Sequence, residues 1–369
     1  MIFSQIQNTG KFLKKFAKKL YKNIISQNMK NFTTIWVLTD NKIGSNNQSI
    51  ALAEQLFPHY TTKKIEYNNF IKLPNFIRRE SLLGINLKKS DDLNTNEYPD
   101  ILICAGRRLS SVALNIKNKS QGKTFIINIM NPNLPYNKFD LILLPKHDNT
   151  NKKTLAKNSN IIETNGSLNQ VKLDRMENES AKWQMELSRM PKPRIGFIIG
   201  GDTKNTTFPA EDFGQTTKAL SDLTNKLNGS LLITTSRRTS ANCLAKLKDN
   251  LNCKHYLYDW NNENTKATEH KNPLGNPYFA YMGTSDYIVV TGDSMSMVSE
   301  ACSTGKPVYV YMPDSALGKK HKRFCKRLLE NGYIKEFNKN ILDLEKFKYE
   351  PLNEAKRVAG IVMKKIEKK

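Results

Sequence analysis

Residues 286–307 read DYIVVTGDSMSMVSEACSTGKP. The run Tyr287 to Val290 is continuously apolar, as a strand buried on both faces requires, and it stops at Thr291-Gly292-Asp293-Ser294. A helical spacing opens through Met297, Val298 and Ala301 and closes at Gly305, with Pro307 behind it. Strand, tight turn and helix in this order predict an α/β fold with a parallel sheet. Such a helix start carries unpaired N–H groups and a partial positive charge, which suit a phosphate. Asp293 stands in the turn, Ser294 and Ser296 add hydroxyls beside Met297, and Glu300 follows one turn later, spaced to accept from a sugar hydroxyl. The stretch reads as a nucleotide-diphosphate pocket. Plain helix capping by Asp293 or Ser294 produces the same letters.

Outward from this stretch the pattern repeats. RIGFII (194–199) ends in Gly200-Gly201-Asp202, and SLLITT (230–235) ends in Ser236-Arg237-Arg238-Thr239. Polar clusters at three strand ends of one parallel sheet meet on one rim. There the glycines admit close backbone approach and the arginines can fork onto phosphate. Turn chemistry accounts for one such cluster; three on one rim predict an anionic-ligand site. The first half carries a thinner version. TTIWVLT (33–39) is a strand running into Asp40, Gly44 and Gln48, with residues 40–47 expected as a loop. DILICA (100–105) runs into Gly106-Arg107-Arg108, and FDLILL (139–144) into Lys146-His147-Asp148. Asp40, or His147 with Asp148, is a candidate general base, with capping as the rival role; Arg107 and Arg108 are candidates for an acceptor anion.

At 369 residues the chain is expected to hold two domains, 31–180 and 181–345, between an N-terminal extension (1–30) and a C-terminal helix (346–369). The net charge of +24 invites nucleic acid, but Lys is spread through evident loops and no basic run is interleaved with aromatics in the manner of a stacking platform. No nucleic-acid partner is expected. Five cysteines, an odd number without a C-x-x-C pair, imply buried free thiols, and no cofactor or metal site is expected. Residues 1–30 hold Lys11, Lys14, Lys15, Lys18, Lys19, Lys22 and Lys30 with no acid, and Phe12, Leu13, Phe16, Leu20 and Ile24 share a helical face. That pattern fits an anionic membrane surface; a dispensable extension before Met29 fits as well. The expected location is cytoplasmic, peripheral on an inner membrane.

Several of these segments together resemble a known family. WVLTDNKIGSNNQSIALAEQL, PDILICAGRR, LLPKHD, IGGDT, LLITTSRRTS, NPYFAYMGTSDYIVVTGDSMSMVSEA and TGKPVYVY follow the order seen in the mitochondrial fission family named Elongated Mitochondria. SRRTS and VVTGDSMSMVSEA are its most specific pieces. The resemblance implies a GT-B-like fold of two facing Rossmann-type domains, with a nucleoside-diphosphate-sugar on the second. Carried over by position, Ser294 and Ser296 would touch the diphosphate and Glu300 the ribose. Lys146 departs from the family, where an acid is usual before His-Asp. Metal-independent sugar transfer to an envelope or lipid acceptor is the activity this implies. A nucleoside-diphosphate-sugar 2-epimerase and a non-catalytic membrane scaffold are the alternatives.

Overall fold

The computed structural model describes residues 34–95, 97–148, 151–203, 206–264 and 272–366. The basic N-terminal segment lies outside them. The chain divides into two compact units, one of Met1–Leu144, Asn151–Ile162 and Ala355–Lys369, the other of Pro145–Thr150 and Glu163–Glu354.

The first unit is built on a six-stranded sheet of order β2-β1-β3-β4-β5-β6. Its strands are β1 (Ile35–Thr39), β2 (Thr61–Lys64), β3 (Ile101–Ala105), β4 (Phe125–Ile129), β5 (Leu141–Pro145) and β6 (Ile161–Thr164). The parallel interior strands β3, β4 and β5 are buried throughout, which explains their apolar runs; the polar Asn128 inside β4 is satisfied by the Ser110 hydroxyl and the Met130 carbonyl. The edge strand β2 (TTKK) is largely exposed, and its two lysines suit an unpaired edge. Helices α1 (Ile43–Leu56), α2 (Asn75–Arg78), α3 (Arg107–Lys119) and α4 (Lys152–Lys157) connect the strands. Trp36, Leu38, Leu102, Val112, Ile126 and Leu144 share one core.

Helix α1 opens at Ile43, inside the stretch expected as a loop. Asp40 ends the turn early: its Oδ1 accepts from the Lys42 N–H at 2.8 Å, and Asn46 clasps its backbone N–H and carbonyl at 2.9 and 2.6 Å. Gly44 therefore sits in the first helical turn.

The second unit is also a six-stranded parallel sheet, of order β12-β11-β10-β7-β8-β9. Helices α5 (Leu173–Lys182) and α6 (Gln184–Ser188) precede β7 (Arg194–Ile198). Then follow α7 (Ala210–Lys226), β8 (Ser230–Thr234), α8 (Ala241–Asp249), β9 (His255–Tyr258), α9 (Trp260–Asn264) and α10 (Tyr278–Thr284). The unit continues through β10 (Tyr287–Thr291), α11 (Met295–Ser303), β11 (Val308–Tyr311), α12 (Lys319–Glu330) and β12 (Lys335–Phe337). The last helix, α13 (Glu354–Ile366), belongs from Ala355 onward to the first unit. Read from β9, the strand order is the 3-2-1-4-5-6 arrangement of dinucleotide-binding folds.

Residues 163–180, expected in the first domain, pack with the second unit. Met176 of α5 joins Met282, Ile288 and Val290 in one core, and Gly283 lacks the Cβ that would stand 2.4 Å from Ser180 Oγ. Residues 346–354 also belong there; Leu352 enters the same core. All five cysteines are buried and free. Among the described residues no helix is long and apolar enough to cross a membrane, and no cluster of three metal-capable side chains occurs.

Candidate nucleotide site

In the second sheet β7 lies between β10 and β8, so the three motif loops leave three adjacent strands at their carboxyl ends. The chain reverses its order of strand addition between β7 and β10, the place where open α/β sheets take ligands. The three loops are fastened to one another. The Gly200 N–H donates to Thr291 Oγ1 at 2.7 Å, and the Gly201 N–H to Asp293 Oδ2 at 2.9 Å. Ser236 Oγ and Thr239 Oγ1 both donate to the Gly200 carbonyl at 2.6 Å. Arg238 donates through Nη1 to the carbonyls of Gly201 and Asp202 at 2.8 and 3.0 Å, and through Nη2 to Asp293 Oδ2 at 2.7 Å. Asp202 Oδ1 in turn accepts from the Phe208 N–H at 2.8 Å.

Thus many polar groups expected to face a ligand hold the rim in shape. The glycines are required by the same closeness. A Cβ on Gly200 would lie 2.2 Å from Asp293 Oδ2, and one on Gly201, whose φ is +148°, would lie 2.1 Å from the Arg238 carbonyl. Arg237 differs from Arg238: it is exposed, with no hydrogen bond or ion pair to a described residue. Ser294 is the N-cap of α11, its Oγ accepting from the Met297 N–H at 3.4 Å. Ser296 is half-buried in the first turn of α11, where backbone N–H groups have no intrahelical acceptor. Arg237, Ser296 and the end of α11 therefore supply donors and positive potential that the protein itself leaves available. Asp293 Oδ1, by contrast, is a buried acceptor without a partner among the described residues.

Glu300 accepts a hydrogen bond from the Tyr278 hydroxyl. Burial pushes its carboxyl up to about 7, against the opposing pull of that hydroxyl and of Arg175. Tyr278 is itself held well above its usual range by burial, with the Glu300 charge adding to it. Glu300 is therefore poised to change protonation near neutrality rather than being a fixed carboxylate.

His321 of α12 was not singled out by the sequence, because it lies in a Lys- and Arg-rich helix with no motif around it. It is half-buried, and burial lowers its imidazole; the Asp293 carboxylate and backbone carbonyl favour the proton, whereas Arg238 opposes it. Its relation to Asp293 is long-range in sequence, so only the fold exposes it.

His147 and Asp148 are brought to α12 as well, but each is engaged differently. His147 is 5% exposed and packs edge-on against Phe324 at 5.3 Å, its carbonyl accepting from Arg323 Nε at 3.0 Å. Burial drives the imidazole down to about 4, so it stays neutral, and its Nδ1 has no partner among the described residues. Asp148 Oδ1 pairs with Lys320 Nζ at 2.7 Å.

In the first unit the switch point falls between β1 and β3, beside Asp40 and Gly106. Asp40 is buried, and its Oδ2 accepts from the Tyr67 hydroxyl at 2.7 Å, leaving it engaged through both oxygens. Arg108 stacks over the Tyr67 ring at 5.3 Å. Gly106 caps α3 at φ +79°, and Gln48 is buried, with Nε2 4.0 Å from Met130 Sδ. The Arg107 side chain has no hydrogen bond or ion pair to a described residue.

Comparison with known proteins agrees with this architecture. The family model described as Mitochondrial fission ELM1 matches residues 43–366. The chain belongs to this family. The uncharacterized protein RP120 of Rickettsia prowazekii (strain Madrid E) is 35% identical over 358 residues, covering 89% of this chain and 97% of that protein. The mitochondrial fission protein ELM1 of Arabidopsis thaliana is 28% identical over 307 residues, covering 78% of this chain and 69% of that protein. Among solved structures, the UDP-GlcNAc 2-epimerase of Methanocaldococcus jannaschii superposes with a TM-score of 0.54 at 11% identity, over 90% of this chain and 100% of that one. That likeness establishes the fold: two Rossmann-type units in the GT-B manner.

Proposed function

We propose that this member of the family binds a nucleoside-diphosphate-sugar at the carboxyl edge of the second sheet and epimerises the sugar. One observation carries the reading: the loops after β7, β8 and β10 are locked into a single rim beside the start of α11, with Arg237 and Ser296 uncommitted. The diphosphate would lie against the α11 N-terminus and those two side chains, which need no metal to balance its charge. Glu300 would take a hydroxyl of the ribose. The fold neighbour from M. jannaschii is a UDP-GlcNAc 2-epimerase, which supports the nucleotide-sugar class and favours epimerisation. Inversion at a sugar carbon takes a proton from one face and delivers one to the other; His321, beside Asp293, would serve one face and solvent water the other.

Sugar transfer from the same bound donor is the second reading, favoured by Arg107, whose side chain is unengaged and suited to an anionic acceptor. Calorimetry with UDP and UDP-GlcNAc, followed by NMR of the sugar in deuterated water, separates the cases. An epimer carrying solvent deuterium, formed without acceptor, supports epimerisation. Release of UDP that depends on an added membrane extract supports transfer. Binding without turnover leaves a nucleotide-holding scaffold. A folded protein that binds no nucleoside diphosphate ends the proposal.

A further inference from the structure

Helix α2 is built inside out. Its sequence is Asn75-Phe76-Ile77-Arg78; the polar Asn75 and Arg78 are 3% and 0% exposed, whereas Phe76 and Ile77 are 72% and 49% exposed. Water alone favours the reverse arrangement. The interior side is pinned by polar bonds. Asn75 Nδ2 donates to the carbonyls of Arg107 and Pro132, both at 2.7 Å. Arg78 donates to the carbonyls of Leu83 and Arg108 at 3.0 Å each and to Asn75 Oδ1 at 3.2 Å. A buried guanidinium held only by neutral oxygens is a costly anchor. It fixes the segment so that the apolar pair stays outside.

The neighbouring chain adds to the same face. Phe70, Leu83 and Leu87 are 58%, 40% and 58% exposed, so five of the ten exposed large hydrophobics among the described residues fall between positions 70 and 87. These residues belong to one folded knot. The Asn68 N–H reaches the Gly84 carbonyl at 3.0 Å, Tyr67 bridges Ile85, and a Cβ on Gly84 would stand 2.9 Å from the Ile71 backbone. Lys72, Arg79, Lys88 and Lys89 are exposed around it, and the one acid of the stretch, Glu80, is taken by Lys138 and Asn118.

We propose that this knot is a docking surface for an anionic lipid bilayer, with Phe70, Phe76, Ile77, Leu83 and Leu87 entering the headgroup boundary. The rim cations Lys72, Arg79, Lys88 and Lys89 make no ion pair with a described residue, although Asp91 and Asp92 follow in the chain, and they decide the occupant: they complement a sheet of anionic headgroups, and apolar tips with basic flanks are the composition of an interfacial anchor. The proposal is independent of the sugar-nucleotide reading.

Flotation of the full chain with vesicles of phosphatidylcholine containing phosphatidylglycerol tests it. Wild type is expected to bind, more weakly at high salt and on pure phosphatidylcholine. The double variant Phe76→Ser, Ile77→Ser should lower partitioning about tenfold or more without lowering the melting temperature, since both side chains are exposed. Replacing Lys72, Lys88 and Lys89 by Gln should weaken binding to anionic vesicles alone. In a Phe76→Trp variant, doxyl-labelled lipid should quench fluorescence beyond the wild-type level. Undiminished partitioning of the double variant, or no added quenching, overturns the proposal. So does a wild-type dimer that the double variant breaks, which would make a second copy the occupant.

Discussion

Arg238 and Asp293 lie 55 positions apart in the chain and meet at 2.7 Å, Nη2 to Oδ2, tying the loop after β8 to the loop after β10. The Asp293 side chain is fully buried; the Arg238 side chain is 32% exposed. The same guanidinium reaches back to the Gly201 and Asp202 carbonyls, so one side chain joins all three strand ends.

Replacing Arg238 by Ala would strand the Asp293 charge with the Gly201 N–H as its remaining donor. Removing one partner of a buried pair costs about 3–5 kcal/mol, and the partial exposure of Arg238 puts this case near the lower end. Urea denaturation should show that loss, and adding Asp293→Asn should recover much of it. An unchanged midpoint for Arg238→Ala would mean the pair does not hold the rim.

Gly201→Ala should damage both stability and nucleotide binding, because its Cβ meets the Arg238 carbonyl at 2.1 Å and backbone cannot step aside cheaply. Gly275→Ala is the control. Its φ is +76° but nothing lies within 4 Å, so only the conformational penalty applies, about 1 kcal/mol. Titrations with UDP should show at least tenfold weaker binding for Gly201→Ala and little change for Gly275→Ala. Equal effects would refute the steric argument.

Glu300 sets a pH slope. Its folded carboxyl titrates near 7, against about 4.3 for an unfolded glutamate. Between those values the folded state binds more protons, so stability falls as pH rises and levels off above about 7. Glu300→Gln should flatten the curve across that window, by about 3–4 kcal/mol. Parallel slopes for the two proteins would show that Glu300 keeps its ordinary acidity.

His147 acts in the opposite direction. The folded imidazole is pushed down to about 4, whereas an unfolded histidine titrates near about 6.5. Below that value the unfolded state binds more protons, so stability is lost as pH falls from about 6.5 toward 4. A His147→Phe variant, filling the space against Phe324, should resist acid better than wild type while gaining little at pH 8. Circular dichroism across pH 4–8 checks this, and identical acid midpoints would refute it.

The mainly apolar strands β1, β3, β4, β5, β7, β8 and β10 were legible from the chain because burial on both faces leaves no alternation to confuse. The edge strand β12, Lys-Glu-Phe, was not, since two of its three residues are charged. The sequence alone starts α1 too late, because Asn46 reads as loop chemistry without its clasp on Asp40. The three rim motifs were legible too, yet the division of labour within them was not: Arg237 and Arg238 are adjacent and chemically identical, and one is exposed while the other is a strut.

Local composition was enough to place strands, turns and glycines, because these depend on burial and on backbone sterics carried by neighbouring residues. It was enough to name the family as well. Which polar groups face outward and which are consumed holding loops together depended on pairs 36 to 92 residues apart, such as Gly200 with Ser236 and Gly201 with Asp293. The same holds for Glu300 beside Tyr278, for His321 beside Asp293, and for the buried Arg78 that turns Phe76 outward. A hydrogen bond or a desolvated charge is set by whatever the folded chain brings within about 3 Å, and one-dimensional order carries no such distance.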